Sequence, residues 1–90
     1  MIIEGKLKNG FKYKVDDKVF HSYRFIMAVR DSQKPDKSYA FADMVDIMLG
    51  EEQRDELLDY IEAKGEDPTI EVISDIVGEI TDAMTDEVKN

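Results

Sequence analysis

The sequence predicts a mainly α fold, a small helical domain of about four helices with an N-terminal β-hairpin. Three observations carry this expectation. Apolar residues from Val19 onward recur at helical spacings of three and four. Gly50 and Gly65 interrupt that pattern, while Asp36 and Asp67 stand where it restarts. Asn9-Gly10 separates two short strand-like segments near the beginning of the chain.

Ile2 to Lys8 and Phe11 to Val15 are the two arms of the hairpin. Asn-Gly is the dipeptide best suited to a two-residue type I′ turn, because both central positions of that turn need positive φ. Phe11, Tyr13 and Val15 alternate with lysines, so one face is expected to pack on helices and the other to meet solvent. A lone two-stranded hairpin is marginal in water and requires that support.

The first helix is expected to begin near Val19 or Phe20, with Tyr23, Ile26, Met27 and Arg30 continuing one stripe, and with Asp16, Asp17 or Ser22 as its cap. Pro35 marks a loop over 31–37. Asp36 then caps a second helix carrying Phe41, Met44, Val45, Ile47, Met48 and Leu49, and Gly50 takes the left-handed position that ends it. Glu51, Glu52, Asp55 and Glu56 crowd the start of a third helix, where carboxylates favour the positive end of the helix dipole. Leu57, Leu58 and Ile61 form its inner stripe, and Gly65 ends it. Asp67-Pro68 opens a fourth helix as cap and first residue. There Ile70, Ile73, Val77, Ile80 and Met84 form one apolar row, and Val72, Ile76 and Ala83 a second that exceeds what a single packing face requires. Gly78, between the rows, marks either close packing or a weak point in the helix.

Composition bounds the function. Ninety residues suffice for one domain, expected over 1–85, with 86–90 as a flexible tail. No signal-peptide pattern and no membrane-length apolar run is evident, which predicts a soluble cytoplasmic protein. The net charge of -9 is unevenly divided. Residues 1–37 hold nine Lys and Arg against five Asp and Glu, whereas residues 38–90 hold three against sixteen. That asymmetry suits either orientation of a partner or plain solubility. Catalytic material is sparse. His21 is the only histidine, Ser22 reads as a cap rather than a nucleophile, and cysteine is absent. No calcium loop, zinc spacing or glycine-rich phosphate cradle occurs, so neither an enzyme nor a cofactor or metal site is expected. The lysines at 6, 8, 12, 14 and 18 coat a hairpin face more readily than they neutralise phosphates, which argues against nucleic-acid binding. Binding through helices remains. Methionines such as Met44 and Met48 offer adaptable apolar contacts but also fill cores.

Asn9-Gly10-Phe11-x-Tyr13-x-Val15, then Met48-Leu49-Gly50-x-Glu52-Gln53 followed by Leu57, then Gly65, the helix with Ile76, Val77 and Ile80, and Lys89-Asn90 occur in this order. In this order and over nearly its whole length, the chain resembles the small tail assembly chaperones of long-tailed phages and Gram-positive prophages. The resemblance implies a non-catalytic factor that binds and solubilises the tape measure protein and helps recruit tail tube subunits. Tail tube contact would come through a longer form made by ribosomal frameshifting. It also implies self-association, action in the bacterial cytoplasm and absence from the finished virion. Met48, Leu49 and Gln53 in the shared motif, with Val72, Ile76 and Ala83 in the surplus row, are the expected partner-binding residues. The alternative reading is a small acidic regulatory module that sequesters a basic or nucleic-acid-binding protein.

Overall fold

In the computed structural model, strand β1 (Ile2–Lys6) pairs antiparallel with β2 (Lys12–Asp16), placing Ile3 opposite Val15 and Gly5 opposite Tyr13. The backbone is described for residues 1–89 and the side chains for residues 1–84, so the expected tail at 86–90 lies outside the residues described in full. The connection is not the expected two-residue turn. Gly10 N–H donates to Leu7 O at 2.9 Å and Leu7 N–H to Phe11 O at 2.8 Å, enclosing a three-residue loop, Lys8-Asn9-Gly10. Only Gly10 has positive φ, at 100°, whereas a type I′ turn would need it at Asn9 as well. The Asn9 side chain instead accepts from Phe11 N–H at 2.9 Å. Leu7, Phe11, Tyr13 and Val15 are buried and the intervening lysines are exposed, as the alternation predicts. The Tyr13 ring crosses Gly5, leaving no room there for a Cβ.

After a 3-10 turn over Asp17–His21, whose Lys18 N–H is capped by Asp16, helix α1 runs over Tyr23–Ser32. Ser22 stands at its N-cap without a side-chain bond. Its buried face is Phe25 and Ala28 with Val29 beside them, not the expected stripe of Tyr23, Ile26 and Met27, which is exposed. Phe20 and Phe25 meet edge to face at 5.2 Å between ring centres, anchoring the start of α1 to the 3-10 turn.

Helices α2 (Tyr39–Leu49) and α3 (Glu51–Ala63) are separated by Gly50 alone. Ser38, rather than Asp36, stands at the start of α2. Gly50 N–H donates to Asp46 O at 2.8 Å and Gly50 O accepts from Arg54 N–H at 2.9 Å, so one residue closes one helix and opens the next. Its φ of 83° is positive as expected, but ψ of 153° places it outside the left-handed helical well and in a region essentially reserved for glycine. Across this joint Arg54 Nη1 meets Asp46 Oδ1 at 2.7 Å. Helix α3 ends in a Schellman arrangement, with Gly65 N–H on Glu62 O at 2.9 Å and Glu66 N–H on Ile61 O at 3.3 Å.

Helix α4 (Ile70–Lys89) starts later than Asp67-Pro68 suggests. Thr69 is the capping residue: its hydroxyl accepts from Val72 N–H at 3.2 Å and its carbonyl from Ile73 N–H at 3.0 Å. Ile73, Ile76, Ile80 and Met84 form the buried row, while Ile70 is exposed and Val72 and Val77 sit at the margin. Gly78 is exposed, and a Cβ there would meet nothing within 4 Å, so it marks no close packing.

The hairpin, α3 and α4 share the most deeply buried side chains, Val15, Leu57, Ile61 and Ile80. Polar contacts hold the hairpin in place. The Gln53 amide accepts from Lys14 N–H at 2.8 Å and donates to Lys14 O at 2.9 Å and to Leu49 O at 3.0 Å. Asn9 O accepts from Tyr60 Oη at 2.8 Å and from Lys64 Nζ. Glu79 Oε1 accepts from Lys8 N–H at 3.0 Å.

Two predictions follow from this packing. Gly50→Val should lower stability by about 1–3 kcal/mol through backbone strain alone, because the site is open to solvent, read as a fall in the denaturation midpoint. Burial, aided by the charge of Glu79, pushes the Tyr13 phenol above its ordinary value. The folded state thus holds this proton more tightly than the unfolded chain, so stability is full below about pH 10 and is lost as pH rises beyond it. Tyr13→Phe should flatten that alkaline loss in denaturation curves recorded between neutral pH and pH 11.

Candidate partner-binding surface

Because α1 turns Phe25, Ala28 and Val29 inward, its opposite side carries Tyr23, Ile26 and Met27 one helical turn apart. Tyr23 is 73% exposed, Ile26 51% and Met27 38%. Across the loop, at the first position of α2, Tyr39 is 62% exposed. Of these, Met27 and Tyr39 line an open depression of about 420 Å³ between α1 and α2, together with Arg24, Asp31, Asp43 and Ile47. Tyrosine and methionine are enriched at protein interfaces, where a large rigid or adaptable apolar surface is covered at little entropic cost.

Charge borders this apolar face. Asp31 meets Arg30 Nε at 3.2 Å and Lys34 Nζ at 3.4 Å. The Arg30 guanidinium, with help from Lys34 and Lys37, holds the Asp31 carboxyl below the usual carboxylate range. Asp46 is engaged by Arg54, whereas Asp43 has no ion pair among the described residues. Such exposed pairs contribute little to stability, and they leave the apolar centre of the patch uncovered.

Two further concavities flank α4. An open depression of about 760 Å³ beside the hairpin loop is bordered by Glu66, Asp75, Glu79 and Asp82. A second crevice of about 440 Å³ is lined by Phe41, Met44, Ile70 and Val77 together with Ser38 and Ser74. No three His, Cys, Asp or Glu side chains among the described residues converge as metal ligands would. No helix of the described residues is long and apolar enough to cross a membrane. His21 is exposed on the 3-10 turn.

The six residues expected to bind a partner are distributed differently. Met48, Leu49 and Ile76 are buried in the core, and of the three only Ile76 reaches the wall of the 760 Å³ depression. Gln53 is half-buried and spends its amide on Lys14 and Leu49. Val72 and Ala83 are half-buried on α4, with Val72 at the edge of the acidic depression. Thus the Val72, Ile76 and Ala83 row does not form a surplus face, because Ile76 belongs to the packing row. In the sequence the exposed members of α1 form a helical stripe of the kind that cores also show. The competing spacing of Phe25, Ala28, Val29 and Ser32 was the available signal.

Substitution separates the two classes of residue. Ile76→Asp should unfold the domain or cost about 3 kcal/mol or more, since it buries an unpaired charge. Tyr23→Asp and Met27→Glu should each shift stability by less than about 1 kcal/mol, as measured by denaturant titration followed by circular dichroism. No protein-family model, curated protein or solved structure matches the chain.

Proposed function

We propose that this protein is a non-catalytic phage tail assembly chaperone that binds the tape measure protein, keeps it soluble and helps bring tail tube subunits to it. The exposed apolar face of Tyr23, Ile26, Met27 and Tyr39 is the observation that carries the reading, supported by the ordered motifs from Asn9-Gly10 to Lys89-Asn90. A long helical client presents repeated apolar stripes, and a small domain with one uncovered helix face suits their transient coverage. Several copies, associating with one another along the client, gain avidity from weak individual contacts. In this reading the protein works in the cytoplasm of the bacterial host, a frameshifted longer form carries the tail tube contact, and neither form remains in the finished virion.

The acidic depression formed by Glu66, Asp75, Glu79 and Asp82 favours a second reading, a regulatory module that sequesters a basic or nucleic-acid-binding protein. Salt separates the two. Apolar contact should persist at high ionic strength, whereas binding dominated by exposed carboxylates should be screened away.

Co-expression with the cognate tape measure protein tests the proposal. The wild-type chain is expected to raise the soluble yield of the client and to co-elute with it, and a Tyr23→Asp/Met27→Glu variant of unchanged helix content should do neither. Failure of the purified proteins to associate at any ratio would remove the chaperone reading in favour of the acidic module.

A further inference from the structure

The two edges of the hairpin are not equivalent. Leu7 N–H donates to Phe11 O, and Asp17 N–H donates to Met1 O at 3.0 Å, so the odd-numbered residues of the first arm face the second. Antiparallel alternation gives Ile3 and Gly5 the same orientation and turns the N–H and C=O groups of Ile2, Glu4 and Lys6 to the outer edge. Along β2 the corresponding outer groups of Lys14 are closed by the Gln53 amide, and beyond β1 the Lys8 N–H is closed by Glu79. The outer groups of Ile2, Glu4 and Lys6 meet no partner among the described residues. An open edge of this kind is a template for another strand.

Charge selects the strand. Lys6 stands directly opposite Lys12 in its own hairpin, a like-charged cross-strand pair that is unfavourable, whereas Glu4 stands opposite Lys14 with Nζ and Oε1 3.5 Å apart. We propose that two copies of this chain pair β1 against β1 in antiparallel fashion about a two-fold axis, with Gly5 opposite Gly5 of the second copy, to form a four-stranded sheet. This register joins Glu4 to Lys6 of the second copy, and Lys6 to its Glu4, by reciprocal main-chain hydrogen bonds. It also inserts a carboxylate beside each Lys6–Lys12 pair, so that each row across the sheet reads Lys14, Glu4, Lys6, Lys12. The register shifted to place Glu4 opposite Glu4 opposes like charges and leaves Lys6 without a carboxylate. Gly5 then falls at the axis in a non-hydrogen-bonded pair, where the strands approach most closely, and contributes no side chain of its own there. The contact is isologous, buries little area and forms a weak dimer. It does not depend on the function proposed above.

Sedimentation equilibrium of the full chain up to millimolar concentration tests it. The wild-type protein should show a monomer–dimer equilibrium. Glu4→Pro removes an outward N–H without removing a bond within the hairpin, and should abolish the dimer while the circular dichroism spectrum is retained. Lys6→Glu should weaken the dimer about tenfold by placing carboxylates opposite one another, and the double variant Glu4→Lys/Lys6→Glu should restore it. Amide hydrogen exchange gives a second measurement should Glu4→Pro fail to fold: exchange at Glu4 and Lys6 should slow with protein concentration while that at Gly5 does not change. A wild-type chain that stays monomeric at millimolar concentration, a dimer indifferent to Glu4→Pro or to the charge exchange, or Glu4 and Lys6 amides protected only when another protein is added would each overturn the proposal.

Discussion

The Gln53 side-chain amide is the tie on which the arrangement of the domain depends. It reaches from the first turn of α3 to both main-chain groups of Lys14 in β2 and, with a second donor hydrogen, to the last carbonyl of α2. A glutamine amide offers a donor and an acceptor with the spacing of a peptide group, and so completes the strand as a neighbouring strand would. The same three bonds fix the angle at the Gly50 joint relative to the hairpin. With the Arg54–Asp46 contact across the joint, they hold α2, α3 and β2 in one orientation while the apolar side chains fill the space between them.

Apolar packing supplies the cohesion that these polar ties direct. Val15, Leu57, Ile61 and Ile80 come from three different elements and are almost fully removed from water, so none of the three elements forms an independent unit. The hairpin is held at its middle by Gln53 and at its loop by Tyr60, Lys64 and Glu79. Phe11 lies edge to face against Tyr60 at 5.5 Å, and Lys64 stands over the same ring at 4.7 Å. By contrast, among the described residues, the outer face of α1 has no such attachments. That contrast between a secured hairpin and an uncovered helix is what the proposed partner contact on α1 rests on.

Helix existence and the hairpin were legible because spacings of three and four, two helix-ending glycines and the alternation of Phe11, Tyr13 and Val15 are local signals. The orientation of α1 was not. Its apolar residues form two interleaved stripes, and the choice between Phe25-Ala28-Val29 and Tyr23-Ile26-Met27 depends on distant partners in α2 and the 3-10 turn. Asn9-Gly10 serves two-residue and three-residue loops alike, and only the pairing of Leu7 with Phe11 distinguishes them. At the starts of α2 and α4, several short polar side chains compete within three residues. Ser38 and Thr69 took positions that Asp36 and Asp67 could equally have claimed. Of the residues expected at a site, Met48, Leu49 and Ile76 are apolar at helical spacing, a pattern shared by cores and binding faces. Gln53 belongs to a short motif, but its attachment to a strand thirty-nine residues earlier leaves no mark in local composition.

The placement of the hairpin has a consequence for biosynthesis. Residues 1–16 leave the ribosome before α3 and α4, yet their fastenings lie thirty-nine residues ahead at Gln53, fifty-one at Tyr60 and seventy-one at Glu79. Helices α1 and α2, built from neighbouring contacts, can assemble during this interval, while the nascent hairpin waits without its packing partners. Throughout that wait both of its edges are open, including the one that Gln53 later closes. On the β2 edge Lys12 and Lys14 then act as a temporary guard, since repulsion between these like-charged nascent strands on a polysome opposes their pairing until Gln53 arrives.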